Sequence, residues 1–342
     1  MPNLAIKASG MVTSVGFNSP ATCAAIRAGI RGVDESHLWD PESGEHLGAG
    51  KVFLPHWWDS IDKLADLVAP AIQECVQAAA PVSGEKIPIF LGVSTSTRIA
   101  RPVDLEQQIL GKLQERLGFR IHHRSEVIAH AQTSAAIGLQ KAAQWFGQEQ
   151  LPYCIVAGAE SLIDQELANY YLSQRRLLTP NNSNGFVSGE AGSAMLVSVA
   201  SKDQESVLEI LGVGVAQEMA PIESEEPLRG EGLIQAVGHA LRDAGLAFDD
   251  LQYRISDLNG EHYKFKEMVF VMLRYERKVK PKLFDLWHPV EYVGEVGAAI
   301  GPIVMGVALH ASHRAYGVGP SMLCTFSNDD GERAAIVARF RS

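Results

Sequence analysis

The sequence predicts an α/β protein in which helices pack on sheets. Short apolar runs with the character of buried strands alternate with longer segments of helical periodicity, which is typical of this class. A second observation is an internal similarity, because Ser-Ala-Ala-Ile-Gly at 134–138 resembles Gly-Ala-Ala-Ile-Gly at 297–301. Each segment opens an apolar helix and follows a polar residue two positions earlier, so the pair indicates a duplicated α/β unit.

The individual elements are predicted from the period and length of each apolar segment. The predicted strands are 87–93, 153–157, 194–199, 207–213, 321–326 and 334–340. The predicted helices are 60–80, 104–117, 133–145, 231–244 and 294–314. Segment 268–273 fits a strand or a helix, because its period does not separate the two. The polar loop 221–229 falls near the middle of the chain, where it can join two halves.

The composition is that of an ordinary folded protein and excludes some partners. Hydrophobic residues make up 46% of the 342 residues and charged residues 20%, values that are normal for a globular chain. The formal net charge is −10. Without a global basic field, the chain is expected to bind neither nucleic acid nor an anionic lipid surface.

The cysteines indicate a reducing compartment. Cys23, Cys75, Cys154 and Cys324 form no Cys-X-X-Cys pair and lie in apolar or helical contexts, so buried reduced thiols and a cytoplasmic location are predicted. The first residues lack the pattern of a signal peptide. The most apolar stretch, 296–311, contains proline and glycine and is shorter than the roughly 20 residues of a membrane span, so a buried helix and no membrane span are predicted.

No metal and no cofactor are predicted. His122 and His123 are adjacent, so in a regular element they do not share a face. The chain has no dinucleotide fingerprint and no phosphate loop. The Ser/Thr-rich segment 92–98 follows a predicted strand but lacks the lysine and spacing of a phosphate loop, and a structural role is expected for it.

Several segments resemble, in chain order, motifs of the β-ketoacyl-acyl-carrier-protein synthases of the thiolase-like superfamily. Asn-Gly-Phe-Val-Ser-Gly-Glu-Ala-Gly-Ser at 184–193 resembles the family's GFVxGEGAG motif. Tyr-Val-Gly-Glu-Val-Gly-Ala-Ala-Ile-Gly at 292–301 resembles its GHxxGAAG motif. Ala-Gln-Thr-Ser-Ala-Ala-Ile-Gly at 131–138 resembles the start of the nucleophile segment. Further matching segments are 9–16, 21–33 and 156–161.

The resemblance implies a thiolase-like fold with two pseudo-repeated halves in a layered α-β-α-β-α architecture. The halves are predicted as 1–205 and 206–342, forming one compact unit. Active relatives dimerise by pairing sheet edges of two subunits. Because an exposed sheet edge needs cover, a homodimer or a heterodimer with a related synthase is expected.

The resemblance also places the family's catalytic positions on residues of a different type. The nucleophilic cysteine at the start of a buried helix corresponds to Gln132, and an amide cannot carry an acyl group. The first histidine corresponds to Asn259, with His262 as a displaced alternative. The second histidine corresponds to Glu295, and the lysine normally five positions before it corresponds to Val290.

Four further residues are predicted to contact a substrate. Thr133 and Ser134 open the nucleophile helix, and their hydroxyls either contact a substrate or cap the helix. Phe186 belongs to the motif that resembles GFVxGEGAG. Asn328 lies in segment 326–332, which stands where the family has a glycine-rich Phe loop. An Asp-Asp-Gly turn cannot gate an acyl site with an apolar ring, so a tight surface turn is expected there.

The first functional hypothesis is a non-condensing pseudoenzyme, an acyltransferase homologue that acts through dimerisation or partner binding. Chain-length factors of the family also carry glutamine in place of cysteine and act as partners of an active synthase. The expected partners are therefore a second copy, a related synthase, an acyl carrier protein, or a component of a secretion system that includes thiolase-like proteins.

The second hypothesis is an enzyme that acts on acyl thioesters without a covalent intermediate, as a decarboxylase or hydrolase. Glu295 would be the general base, with Gln132 and Asn259 positioning the substrate. An ionised Glu295 would repel a malonyl carboxylate, which disfavours decarboxylation, and Glu295 could instead only stabilise its own helix N-terminus. A third hypothesis, a condensing enzyme with a relocated thiol, requires Cys154 or Cys324 beside a base.

Overall fold

The structure is a computed structural model that describes residues 3–55, 60–148, 151–201, 206–276 and 285–342. Its strands and helices alternate along the chain, which confirms the predicted α/β class. The strands are β1 (Leu4–Val12), β2 (Asp34–Asp40), β3 (Glu45–Gly50), β4 (Ile89–Gly92), β5 (Glu126–Ile128), β6 (Cys154–Ser161), β7 (Ser188–Val199), β8 (Val207–Gln217), β9 (Tyr253–Ser256), β10 (Asp285–Trp287), β11 (Ser321–Ser327) and β12 (Glu332–Arg341). The helices are α1 (Ser19–Arg27), α2 (Ile61–Ala78), α3 (Leu105–Leu117), α4 (Ser134–Phe146), α5 (Gln165–Ser173), α6 (Glu231–Ala244), α7 (His262–Tyr275), α8 (Val290–Val293) and α9 (Ile300–His313).

The strands form two half-sheets that have the same internal order. The N-terminal half-sheet runs β5-β4-β6-β7-β1, and the C-terminal half-sheet runs β10-β9-β11-β12-β8. In each half-sheet the three outer strands are parallel, and the next two pairings are antiparallel. The hairpin of β2 and β3 lies beside β7. The shared order and direction confirm two pseudo-repeated halves.

Strands β1 and β8 join the half-sheets. Residues 4–6 pair antiparallel with residues 208–210, while β1 pairs with β7 on its other side along nearly its whole length. One mixed sheet therefore continues through both halves. The predicted boundary between residues 205 and 206 adjoins 202–205, which lie outside the described residues, and it stays a prediction.

The helices occupy three layers around the half-sheets. On one outer face, α2 packs on β1, β6 and β7 with α3 beside it, and on the other, α6 packs on β8 and β12 with α7 beside it. Helices α4 and α9 contact strands of both half-sheets and therefore lie between them. This arrangement confirms the layered α-β-α-β-α architecture. Helix α9 is buried on nearly every side, which explains why 296–311 is the most apolar stretch.

No helix within the described residues is long and apolar enough to cross a membrane.

Glycines in the left-handed region set several element boundaries. Helix α6 spans the predicted 231–244 and ends at Gly245, whose φ is 63°, as is common at helix ends. The predicted helix 294–314 is wrong at its start, because Gly294 (φ 81°) and Gly297 (φ 49°) interrupt it and α9 begins only at Ile300. Segment 268–273 is helical and belongs to α7.

The register predicted for the internal repeat is also wrong. Ala131–Thr133 and Gly297–Ala299 are 3₁₀ turns that lead into α4 and α9. Their first residues have matching positive φ values, 47° at Ala131 and 49° at Gly297. Position 131 therefore corresponds to 297, whereas the sequence similarity equated 134 with 297. Small residues recur wherever helices pack closely, and here they produced an out-of-register match.

Candidate functional site

The candidate site lies where the two 3₁₀ turns meet between the half-sheets. The backbone N–H of Ala131 donates to the carbonyl of Val93 at 2.9 Å, which ties the first turn to the end of β4. The backbone N–H of Ala298 donates to Glu160 Oε2 at 3.0 Å, which ties the second turn to β6. Gln132 lies at the start of a buried helix. The residue before it, Ala131, has a positive φ, which L-residues rarely adopt.

Gln132, Asn259 and Glu295 form one hydrogen-bonded cluster. Gln132 Nε2 donates to Glu295 Oε1 at 3.2 Å, and Asn259 Nδ2 donates to Glu295 Oε2 at 2.9 Å. The backbone N–H of Gly297 also donates to Glu295 Oε1, at 3.2 Å. Gln132 is 7% exposed and Glu295 2%. The structure thus brings together the three residues that the motif resemblance aligned with the family's catalytic positions, and their catalytic role stays a prediction.

A buried lysine from α7 lies behind Glu295. Lys264 Nζ is 3.6 Å from Glu295 Oε2 and 2.8 Å from Asp257 Oδ2. Burial raises the pKa of Glu295, the charge of Lys264 offsets part of that rise, and the charge of Asp257 adds to it. The hydrogen bond from Asn259 also lowers this pKa, but the net direction is upward. Glu295 therefore holds its proton to a higher pH than an exposed glutamate does.

Arg176 is the centre of a second ionic group beside this cluster. Its Nε and Nη2 donate to the two carboxylate oxygens of Glu261 at 2.8 and 3.2 Å, and its Nη1 and Nη2 donate to those of Asp329, both at 2.9 Å. Asn259 Nδ2 also donates to Glu261, at 3.0 Å, which links the two groups. Burial alone would raise the pKa of Asp329, but Arg176 outweighs it and holds that pKa below its usual value.

A cavity of about 270 Å³ opens against Gln132 and the two turns. Asn259 and Glu295 do not line it. Four carboxylates line it, namely Glu160, Glu223, Asp329 and Asp330. The apolar and aromatic part of the lining is Ile99, Leu162, Leu167, Tyr170 and Tyr171. Thr95, Thr97 and Arg98 also line it, so segment 92–98, for which a structural role was expected, contributes to the cavity.

The hydroxyls of Thr133 and Ser134 are directed at the protein's own acceptors. Thr133 Oγ1 donates to the carbonyl of His130 at 2.8 Å and to the Glu332 carboxylate. Ser134 Oγ donates to the carbonyl of Ile128 at 3.1 Å. Thr133 makes no side-chain capping bond to α4, and neither residue lines the cavity. Their contact with a substrate stays a prediction.

Phe186 and Asn328 also lie away from the cavity lining. The Phe186 ring packs edge-on against Tyr171, with 5.0 Å between ring centroids. Asn328 Nδ2 donates to the carbonyl of His130 at 3.2 Å, and its Oδ1 accepts from the backbone N–H of Glu332 at 2.8 Å. Asn328 thus closes the tight turn between β11 and β12 that the sequence predicts. Substrate contact by Phe186 and Asn328 stays a prediction.

The other candidate positions contribute little to the cluster. The side chain of His262 is exposed, and its backbone N–H donates to Asn184 Oδ1 at 2.8 Å. Val290 is buried at the start of α8. Position 290 therefore supplies no lysine near Glu295. Lys264 of α7 lies near Glu295 instead.

The four cysteines are free and buried, as predicted. Burial raises the pKa of Cys324 to about 12 and raises that of Cys154 as well. Both lie inside strands, and neither lines the cavity. A thiolate is the reactive form of cysteine, so the burial and raised pKa values of Cys154 and Cys324 give no support to a relocated nucleophile. Within the described residues, no group of three or more His, Cys, Asp or Glu side chains is placed to hold a metal ion.

Sequence reasoning missed the ionic residues that surround the cluster. Lys264 and Glu267 lie on the buried face of α7 together with Met268 and Val271. Charged residues within an apolar helical stripe were the available signal for them, since such residues are rarely buried unless paired. Arg176 lies in a loop after α5 and carries no local signal, because its partners are distant in sequence.

Glu295→Gln is expected to change how stability depends on pH. The pKa of Glu295 is raised in the folded protein, so the stability that its protonated form contributes is complete below the unfolded pKa and is lost as pH rises through the folded pKa. Glutamine does not titrate, so E295Q does not lose stability in this way as pH rises. We therefore expect the difference in unfolding free energy between E295Q and the wild type to move in favour of E295Q as pH rises from 4.5, the ordinary pKa of a glutamate, into the alkaline range.

Urea unfolding of both proteins across that pH range measures the difference. Burial raises the pKa of Glu160, and the charge of Glu295 raises it further. E295Q removes that second cause, so the change at Glu160 favours E295Q in the same direction as pH rises. A difference that does not change with pH, or that moves in favour of the wild type, contradicts the prediction.

Gln132→Cys is expected to leave the protein unable to form an acyl intermediate. The introduced thiol would lie beside the Glu295 carboxyl in a buried position, where both burial and negative charge raise a thiol pKa. We expect no acyl adduct when Q132C is incubated with an acyl-CoA and analysed by intact-protein mass spectrometry. The wild type is the control, and an adduct found on Q132C alone contradicts this account of the site.

Comparison with solved structures places this geometry in a known fold. A chain of a ketosynthase in complex with its chain length factor from Xenorhabdus doucetiae superposes with a TM-score of 0.74 at 16% identity, covering 99% of this chain and 98% of that one. A chain of the ishigamide ketosynthase/chain length factor superposes with a TM-score of 0.79 at 15% identity, and both chains are covered completely (100%).

A third similar structure is a type II polyketide synthase acyl carrier protein in complex with its ketosynthase, with a TM-score of 0.77, 13% identity and 99% coverage of both chains. No protein-family model matches the chain. No curated protein matches it either. Full-length superposition on these structures confirms the fold that the motif resemblance implied. The chain therefore has the thiolase-like fold of the ketosynthases and chain length factors.

Proposed function

We propose that this chain is a non-condensing, chain-length-factor-like partner of a ketosynthase. The observation that carries the proposal is the cluster itself. The position of the family nucleophile holds an amide that donates to a buried carboxyl, and that carboxyl also accepts from Asn259 and from a backbone N–H. An amide at the cavity wall, with a carboxyl held by three donors behind it, does not provide the activated thiol that condensation needs.

The similar structures support the partner role. Two of them contain a ketosynthase with a chain length factor, and a third contains a ketosynthase with an acyl carrier protein. By this likeness we propose a ketosynthase of complete Cys-His-His type as the partner, or else a second copy of this chain. Four buried free thiols support a cytoplasmic location for this complex.

The edge of the N-terminal half-sheet is the proposed contact. Strand β5 is the outermost strand there and pairs only with β4 among the described strands. Backbone groups on its other side are therefore free to pair with a strand of another subunit. Glu126 on this strand binds Lys141 at 2.5 Å, so a charged pair flanks the proposed contact.

The partner role is tested by co-purification and by assay. The tagged chain is expressed in its source cell, and the proteins retained in stoichiometric amount are identified by mass spectrometry. We expect a ketosynthase with an intact catalytic set, and we expect the purified chain alone to release no product from malonyl-CoA or acyl-CoA. A chain that is monomeric and retains no ketosynthase at stoichiometric amount contradicts the proposal.

The second candidate function, a non-covalent acyl-thioester enzyme, is favoured by one observation. The cavity reaches Gln132, and the Glu295 carboxyl lies one hydrogen bond behind it. The same assay decides between the two. Thioester turnover by the chain alone that is lost in both Gln132→Ala and Glu295→Ala establishes the enzyme.

A further inference from the structure

A second cavity, of about 360 Å³, lies where the end of α1 meets β10, α8 and α9. Among the described residues it shares no lining residue with the cavity at Gln132, so it is separate from the candidate site. Its volume falls within the roughly 300–1,000 Å³ of small-molecule sites. The apolar part of its wall is formed by Ile26, Leu286, Pro289 and Val307.

Three aromatic side chains, Trp287, Tyr292 and Tyr316, also line this cavity. The rings of Trp287 and Tyr316 are stacked, with 6.2 Å between their centroids and 25° between their planes. Tyr253 lies against Trp287, at 5.1 Å between centroids, and the Tyr316 hydroxyl is 3.0 Å from His310 Nδ1. These neighbours hold two of the rings in place. A planar aromatic ligand gains most from rings that are already oriented, because such pairs prefer offset-stacked or edge-on geometry.

Arg27 contributes a guanidinium group without a counter-ion. Its Cζ lies 4.4 Å from the centroid of the Tyr316 ring, so the group is stacked on a wall of the cavity. Within the described part of the chain, the Arg27 side chain makes no ion pair and no hydrogen bond, and its five N–H donors remain free. The Trp287 indole N–H and the Tyr292 hydroxyl also have no hydrogen-bond partner among the described residues. These three lining residues therefore offer free N–H and O–H donors to a ligand.

The carboxylate in this lining is already compensated. Among the described residues that line the cavity, Glu291 alone carries a carboxyl group. It forms an ion pair with Arg31 and lies 3.5 Å from His288 Nδ1. Its negative charge is therefore engaged by other groups, and Arg27 is left without an anion.

The charges near Tyr316 are also positive. Burial lowers the pKa of its neighbour His310, and the charges of Arg314, His313 and Arg27 lower that pKa further. Positive groups in a cleft attract an anion. The net charge of −10 for the whole chain does not cancel this attraction, because salt screens exposed charges beyond roughly 10 Å.

We propose that this cavity binds an aromatic carboxylate, a planar apolar body that carries one carboxyl group. The carboxylate would accept hydrogen bonds from Arg27, whose planar fork matches its two oxygens, and from Trp287 or Tyr292. The aromatic body would pack on the lining rings and on Ile26 and Val307. One free guanidinium matches one negative charge, which favours a carboxylate over a phosphate monoester with nearly twice that charge.

This proposal extends beyond the partner role and does not depend on it. The cavity is built from residues of this chain alone. Carboxylate binding is measured on the purified chain, whereas the partner role is measured by co-purification, so failure of one is distinguishable from failure of the other.

The test is calorimetric titration of the full chain with 2-naphthoate at neutral pH and fixed ionic strength. Two matched probes separate the charge from the ring. The first, 2-naphthamide, keeps the ring without the charge, and decahydro-2-naphthoate keeps the charge and the carbon skeleton without the aromatic plane. We expect saturable binding of 2-naphthoate and a Kd about tenfold higher for the amide, as for one lost charge-assisted hydrogen bond. The proposal is overturned if 2-naphthoate does not bind, or if either matched probe binds as tightly.

Variants locate the binding. Arg27 is exposed at the end of α1, so Arg27→Gln leaves the core intact, and it is expected to raise the Kd of 2-naphthoate about tenfold. Arg314→Gln is the matched control, because Arg314 is exposed and also acts on His310 but does not line the cavity. We expect R314Q to bind 2-naphthoate nearly as the wild type does. Equal weakening by R27Q and R314Q would indicate a diffuse charge effect and overturn the site.

Discussion

Arg176→Leu is expected to cost about 3–5 kcal/mol of unfolding free energy, the usual effect of removing one partner from a buried ion pair. Arg176 is the only cation that hydrogen-bonds Glu261 or Asp329 in the described part of the chain, and its side chain is 6% exposed. It also lies over the rings of Tyr171 and Phe186, 5.0 and 5.6 Å from their centroids. A leucine would leave two carboxylates without their cation beside the candidate site.

Urea unfolding of R176L and of the wild type measures this loss of stability. Two further variants test whether the ionic group causes it. Arg175→Leu is the matched control, because Arg175 is the exposed neighbour and surface changes usually stay within about 0.5 kcal/mol. Adding Glu261→Gln and Asp329→Asn to R176L is expected to restore part of the stability, since the uncompensated charges are then absent. Equal losses in R175L and R176L would show that the ionic group contributes nothing.

Gly158→Ala is expected to cost about 3 kcal/mol through overpacking. A Cβ atom at Gly158 would lie 2.0 Å from the carbonyl oxygen of Ala298 and 2.6 Å from its carbonyl carbon. These are backbone atoms of the second 3₁₀ turn, so no side chain can move aside. Strand β6 and this turn would have to separate, which would also displace Glu295 from Gln132. Urea unfolding of G158A and of the wild type measures the loss.

Gly111→Ala is the matched control for this substitution. Gly111 lies inside α3, and a Cβ there has nothing within 4 Å, so alanine is expected to stabilise the helix by about 0.5–1 kcal/mol. If G158A unfolds at the same urea concentration as the wild type, the close approach of β6 and the turn is not a constraint on the fold.

The period of the apolar residues and the order of the motifs along the chain were sufficient to predict the layers. They did not predict every helix and strand. Helix α6 was predicted to the residue because its apolar stripe and its terminal glycine agree. The hairpin of β2 and β3 was not predicted, because its strands are mostly exposed and carry no apolar run. The start of α9 was wrong because two positive-φ glycines interrupt an otherwise apolar segment, and apolarity alone does not reveal a backbone conformation.

The candidate site was predictable only where a motif reached it. The motif resemblance singled out Gln132 and Glu295, which the structure places within one hydrogen bond of each other. Asn259, aligned across a shortened loop, also donates to Glu295. The cavity and its carboxylates were not predicted. Glu160 and Asp329 reach it from opposite halves of the fold, and a contact between residues so distant in sequence leaves no periodic trace.

The position of β1 has a consequence for how the chain is made. This strand lies between β7 and β8, so its hydrogen-bonding partners are residues 192–199 and 208–210. Ribosomes add roughly 5–20 residues per second, so β1 waits on the order of 10–40 seconds for both neighbours to be synthesised. During that interval β1 lacks both neighbouring strands, so its unpaired backbone groups can pair with a wrong strand. Folding of this protein in the cell is therefore expected to depend on chaperones that shield the nascent amino-terminal segment.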